Sequence, residues 1–277
     1  MKGRSMDTMH GNSTQPTLLT RTIQSLKRRG FRRTILRILK YPFDGLLFRH
    51  KERRVFSLRS IEDRFTEIYK LNYWDHEESV SGSASTLFYT ENLRGLLPDL
   101  FAKFSIQSVF DAPCGDFNWM KHILKNYPIK YIGGDIVLPL IEGHNKSYKA
   151  LNIEFVHIDL TKSRFPSVDL MICRDCLFHL SYEDAKAVLA NFIESNIRFL
   201  LTTTHINSDE FINKNITTGG FRRIDLFLPP YNFPKDVQCR IFDWRDPIPG
   251  DWREPEPKRE MCLWSREQVV ATLKRFE

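Results

Sequence analysis

The chain has 277 residues, of which 42% are hydrophobic and 27% charged, a globular balance that excludes a wholly disordered protein. No uninterrupted apolar run reaches the roughly 18–20 residues of a membrane-spanning helix, and the five scattered cysteines make no disulfide framework, which fits a reducing, cytoplasmic compartment. The net charge of +7 is unevenly placed: residues 1–60 hold 15 Lys/Arg against three acids, residues 61–277 hold 26 against 31, so the main domain is mildly acidic and a nucleic-acid partner is disfavoured.

The chain divides into a basic, partly flexible helical extension over 1–60 and a main domain over 61–277. Residues 1–17 are polar and have little to bury. From Leu18 the pattern turns amphipathic: Leu19, Ile23 and Leu26, then Phe31, Ile35 and Ile38, recur at helical spacing among eight Lys/Arg between Arg21 and Lys40. Three uses fit residues 18–40: peripheral contact with an anionic membrane surface, docking of the apolar face on the main domain, or a cleaved transit segment.

Beyond residue 60, strand-like and helix-like segments alternate, which predicts a doubly wound, Rossmann-like α/β domain with a mostly parallel sheet and helices on both faces. Strands are expected at 108–112 (SVFDA), 131–135 (YIGGD), 154–159 (EFVHID), 168–173 (VDLMIC) and 198–204 (RFLLTTT). Helices are expected from about Thr86, up to about Lys125, at 138–149 and 182–194, and from about Ser265. The stretch between 205 and 265 reads as irregular, with Asp243–Pro257 a surface connection or acceptor lid and Leu228-Pro-Pro-Tyr231 a turn.

Parallel sheets of this kind bind ligands at the carboxyl ends of their strands. Here those ends carry Asp111-Ala112-Pro113-Cys114-Gly115-Asp116, then Asp135-Ile136, then Asp159-Leu160, then Arg174-Asp175. Asp135 stands 20 positions after Gly115, the usual distance for a carboxylate that grips a ribose diol. Asp159 is placed to meet an adenine amino group. Pro113, Asp116 and Phe117 stand where a pyrophosphate loop wants glycines, so the pocket suits a nucleoside with a cationic tail better than a dinucleotide.

These runs, with Gly133-Gly134-Asp135 and Ile172-Cys173-Arg174-Asp175-x-x-x-His179, resemble the successive motifs of class I S-adenosylmethionine-dependent methyltransferases over roughly residues 80–205. The closer pattern, residues 111–120 (DAPCGDFNWM) with 173–181 (CRDCLFHLS), resembles bacterial and viral members linked with glycan and surface-polysaccharide modification. The resemblance implies a seven-stranded sheet, S-adenosylmethionine as cofactor, and Asp111, Gly115, Asp135 and Asp159 as donor contacts flanked by Ala112, Pro113, Asp116, Ile136, Leu160 and Arg174. Upstream, a segment holding Trp74 and Ser83 is expected to close over the donor, with Trp74 facing the sulfonium.

The expected reaction is O-methylation of a sugar hydroxyl of a glycan or polysaccharide, with RNA or a small metabolite as alternative acceptors and a non-catalytic scaffold docked on membranes as the remaining reading. A hydroxyl needs help to lose its proton, and Asp175 and His179, four residues apart, are the candidate bases, with His205 in reserve. Asn215 and Arg222 are candidate acceptor-binding residues. Cys173, Cys176 and His179 have metal-like spacing but lack a fourth ligand, so no metal is assigned.

Overall fold

The computed structural model describes residues 45–148, 150, 152–246, 256–274 and 276. The amphipathic stretch at 18–40 and most of the 243–257 connection lie outside them. The chain separates into a unit of residues 1–47 and 247–254, of which only 45–47 are described, and a larger compact unit of residues 48–246 and 255–277.

The larger unit follows the predicted alternation. Residues 45–57 are helical (α1), followed by α2 (Ile61–Lys70), α3 (Glu91–Lys103), β1 (Ser108–Asp111), α4 (Met120–Leu124), β2 (Lys130–Asp135), α5 (Leu138–Ser147) and β3 (Ile153–His157). Then come β4 (Leu170–Cys173), α6 (Tyr182–Glu194), β5 (Phe199–His205), β6 (Cys239–Phe242), β7 (Arg259–Ser265) and α7 (Arg266–Leu273). Local chemistry marks the helix starts. Ser60 and Ser181 accept from the amides of Asp63 and Asp184, with acids in each first turn, and Ser265 forms a capping box with Gln268 ahead of α7.

Several boundaries differ from expectation, and the third strand ends at His157, so Asp159 lies two residues beyond it. The helix expected from Thr86 begins at Glu91, because 83–85 form a separate tight turn. His205 lies inside β5 rather than after it, since the strand continues against β7. And β6 and β7 occupy a region expected to be irregular; β7 opens with Arg259-Glu260, charges that hide a strand whose next four residues are fully buried.

The seven strands run in the order β3-β2-β1-β4-β5-β7-β6, all parallel except β7, which pairs antiparallel with β5 and β6. Alternate residues feed two cores. Phe110, Met171, Cys173 and Leu200 face one layer, and Val109, Leu170, Ile172 and Leu201 the other. Covering on both faces explains why β1 and β4 read as continuous apolar runs. Gly133 and Gly134 serve packing: a Cβ at either would come within 2.7 Å of the Phe155 or Phe110 ring. Strand order reverses between β1 and β4, so the crevice of an open parallel sheet opens beyond Asp111 and Cys173.

Candidate active site

On the β1–β3 side the structure brings the predicted acids to one rim. Asp135 ends β2 at 6% exposure; one carboxylate oxygen accepts from Gly115 N–H at 3.0 Å and the other from Val137 N–H at 3.0 Å. Burial raises its pKa, with those two amides partly opposing. Asp111, 2% exposed, accepts from the Tyr131 hydroxyl at 2.8 Å; burial pushes it up to about 7, which Tyr131 and the charge of Arg174 only partly offset. The loop between them needs glycine. Gly115 sits at φ +54°, a Cβ there would lie 2.3 Å from Ser81 Oγ, and its carbonyl meets His144 Nε2 at 2.8 Å. Ala112 is fully buried, and a cis peptide joins it to Pro113.

Asp116 has another use than meeting a cation. One oxygen accepts from Val80 N–H at 3.1 Å and the other from Asn118 N–H at 3.3 Å, while its own N–H donates to Ser81 Oγ at 3.1 Å. With Asn118 Nδ2 bonded to Glu78 at 2.9 Å and to the Ser85 carbonyl at 3.1 Å, these contacts latch the segment 78–87 over the Gly115 loop. Ser83 belongs to that latch, and its hydroxyl donates to Glu256. At β3, burial tends to raise the pKa of Asp159, but Thr161 and Lys162, which bond both its oxygens, outweigh it and leave the pKa lowered. Ile136 and Leu160 are half-buried beside these acids, their carbonyls bonded to His157 and Asn191.

The β4–β5–β7 side is a buried ion network that the sequence did not disclose. Arg174 forks onto Asp243 at 2.8 and 3.2 Å, reaches Asp175 at 3.2 Å, and donates to the Ala84 carbonyl at 2.9 Å. It is therefore a brace between β4, the latch and the end of β6, not a free donor contact. Asp243, expected in a surface connection, is 1% exposed. Arg259 donates to Asp175 at 3.0 Å and lies 4.8 Å over the Tyr89 ring. Arg259, Tyr89 and Asp243 were missed because the spacing rules look for motifs near β4, whereas these residues arrive from β7, the turn before α3 and the residue after β6.

That network corrects two expectations. Asp175 sits at φ +51°; burial would raise its pKa, but Arg174 and Arg259 outweigh burial and hold it down, so it keeps its charge and is a poor proton acceptor. His205 is a poor base for a different reason. Its Nδ1 accepts from Ile224 N–H at 3.2 Å, so the neutral ring carries its proton on Nε2, which is buried and has no partner. Burial, followed by the charge of Arg259, pushes its pKa down to about 4. His179 has the opposite tautomer: Nδ1 donates to the Gly220 carbonyl at 2.7 Å, leaving the Nε2 lone pair open. Burial lowers its pKa, with the Gly220 carbonyl partly opposing, so the ring is neutral near pH 7. Trp74 faces this histidine, with ring centroids 5.6 Å apart.

Asn215 and Arg222 do not join the rim. Asn215 Oδ1 accepts from Tyr182 N–H at the start of α6, and Arg222, 7% exposed, donates to the Leu180 carbonyl and to the Tyr231 hydroxyl at 2.6 Å. Both are internal ties. Among the described residues, no three His, Cys, Asp or Glu side chains gather as metal ligands, and no helix is long and apolar enough to cross a membrane.

The donor rim fits S-adenosylmethionine on its own chemistry. Two buried carboxylates on adjacent strand ends are offset by a phenol, backbone amides and one braced arginine, so a ligand offering a diol and cationic groups supplies what they lack.

Residues 109–195 match the family described as "Methyltransferase domain". Among solved structures, the chain is similar to PigF with SAH at 13% identity, covering 91% of this chain and 75% of that one with a TM-score of 0.51. It is also similar to human N-acetylserotonin methyltransferase in complex with SAM (14% identity, 92% and 72% covered, TM-score 0.48). Magnesium protoporphyrin IX methyltransferase from Synechocystis PCC 6803 with bound SAH aligns at 12% identity over 72% of this chain and 93% of that one, with a TM-score of 0.47. Against TnmH, the chain spans 55% of that structure's length. No curated protein matches the sequence. Residues 109–195 therefore match a methyltransferase domain, set within a 3-2-1-4-5-7-6 sheet whose fold is similar to that of PigF.

Proposed function

We propose that the enzyme transfers a methyl group to a sugar hydroxyl of a glycan or polysaccharide. Asp135, Gly115 and Asp111 hold the donor, with Asp159 toward its adenine. When bound, S-adenosylmethionine supplies an electrophilic methyl group. The chain's own residues then have to position the acceptor and take its proton.

The observation that carries this reading is the pair of opposite tautomers at the β4–β5 mouth. His179, neutral and with Nε2 open, takes the proton from the acceptor oxygen as the new carbon–oxygen bond forms. Asp175, charged and nearby, favours the resulting imidazolium. His205 donates from Nε2 to an acceptor oxygen. An amine that spends its lone pair on the methyl group leaves the Nε2–H of His205 without an acceptor, whereas a hydroxyl oxygen satisfies both histidines. The glycan assignment is supported by the resemblance of residues 111–120 and 173–181 to glycan-associated members. Peripheral contact with anionic membranes through residues 18–40 belongs to the same reading, because the excess charge lies in that extension.

Incubating the protein with methyl-labelled S-adenosylmethionine and separated cell fractions tests this. Label is expected in oligosaccharide, alkali-stable as an ether; label in RNA, bound tightly and in a salt-sensitive way, sinks the reading.

A further inference from the structure

Three buried donors on the acceptor side have no use in the proton transfer. His205 Nε2, Tyr89 Oη and Arg259 Nε each lack a hydrogen-bond partner, and the residues are 2%, 6% and 2% exposed. Buried donors in that state carry a desolvation cost that the fold alone does not offset, so each marks a place where a ligand atom belongs. They are grouped around Arg259. His205 and Arg259 are direct cross-strand partners on β5 and β7, which puts both side chains on the same face of the sheet, and Tyr89 packs its ring 4.8 Å under the Arg259 guanidinium.

Beside His205 lies Phe221, 53% exposed. Its ring makes edge contacts with Phe178 (5.5 Å, 80°) and His205 (6.2 Å, 80°) and lies 6.0 Å from His179. Trp74 stands against His179 too, at 5.6 Å. The base thus sits among aromatic rings, one of them half in solvent, with buried donors behind it. Aromatic surface bordered by a few aimed polar groups suits a ligand that has both an apolar face and hydroxyl edges.

The charge arrangement decides between neutral and anionic ligands. Arg174 and Arg259 face Asp175 and Asp243, two cations against two anions, and Glu256 lies 3.7 Å from Arg259 as a further anion. Among the described residues, this buried network leaves no cation over to meet a carboxylate or phosphate; Arg223 lies outside it, exposed, with its guanidinium 5.6 Å from the Phe211 ring centroid. His205, with its pKa near 4, adds no charge either.

We infer that Phe221, His205 and Tyr89 form the acceptor subsite, and that it takes an uncharged polyhydroxyl ring stacked on Phe221, with ring or hydroxyl oxygens accepting from His205 and Tyr89. The inference rests on the proposed transfer to a hydroxyl and narrows its acceptor to neutral sugars.

The test uses the full chain saturated with S-adenosylhomocysteine and measures, by saturation-transfer NMR, binding of the methyl glycosides of glucose, galactose, mannose and glucuronic acid and of a short single-stranded RNA. At least one neutral glycoside is expected to bind, and Phe221→Ala to weaken it about tenfold while Phe221→Trp retains it. His205→Asn keeps an acceptor for Ile224 N–H but removes the outer donor, and is expected to weaken binding about tenfold as well. S-adenosylhomocysteine affinity should be the same in all variants, which separates a lost subsite from a misfolded protein. Absence of binding by every neutral glycoside, tighter binding of the glucuronide or RNA, or indifference to both Phe221→Ala and His205→Asn overturns the inference. If those results coincide with His179-dependent labelling of a hydroxyl, the proposed function stands without it; if the wild type fails to bind S-adenosylhomocysteine, the function falls first.

Discussion

The two halves of the rim handle charge in opposite ways. At the ends of β1–β3, Asp111 and Asp135 are buried against a phenol and backbone amides, and burial raises both pKa values. At the ends of β4, β5 and β7, the buried acids are forked onto arginines and held ionised. The first half holds buried acids with little countercharge. The second pairs its charges internally and leaves the buried donors of His205 and Tyr89 without partners. A methyl donor that arrives with its own positive charge and an acceptor that arrives with none would each find the half suited to it.

The largest expected effect breaks the acceptor half at its base: His179→Ala should lower turnover about 10²–10⁴-fold while S-adenosylhomocysteine affinity, read by calorimetry, stays within about twofold. An equal fall in both would assign His179 to donor binding. In the wild type, kcat should drop as pH falls through a value below the ordinary histidine range, because burial lowers the pKa and the base works only when neutral. Next, Asp243→Asn leaves two buried guanidiniums short of a partner and should cost about 3–5 kcal/mol in chemical denaturation. A cost below about 1 kcal/mol would mean that water screens the network.

The donor half breaks more gently. Gly115→Ala forces a left-handed alanine, worth about 1–2 kcal/mol, and drives its Cβ into Ser81, so affinity for S-adenosylhomocysteine should fall about tenfold. Part of that loss should return in a Ser81→Ala background. The smallest effect sharpens the contrast itself. Asp111, raised to about 7, contributes stability that is fully present below about pH 4 and is lost as pH rises toward 7. His205, lowered to about 4, contributes stability that is present above about pH 6.5 and is lost as pH falls toward 4. The two slopes oppose each other in the ligand-free protein. Asp111→Asn removes the first, so its stability should climb more steeply between pH 4 and 6.5 than that of the wild type; parallel curves would show that Asp111 stays ionised throughout.

The same division separates what was legible from what was not. Asp111 and Asp135 announce themselves because each ends a short apolar run, and a parallel strand buried on both faces has a strong sequence pattern, while Gly115 and Asp159 lie in the loops just beyond β1 and β3. Asp175 and His179 were legible as residues but not in their roles. Asp175 lost its candidacy as a base to Arg174 beside it and to Arg259, 84 positions away. Likewise the tautomer of His205 depends on the Ile224 amide, which no spacing rule could supply.

Local order of polar and apolar residues was enough to give the alternating α/β architecture and the succession of acids along the rim, because strand periodicity and turn chemistry act over a few residues. The protonation states, the brace of Arg174 and the seat of Phe221 came only from folding. Each depends on groups from distant segments being buried together, where loss of water rather than sequence neighbourhood sets the energy of a charge.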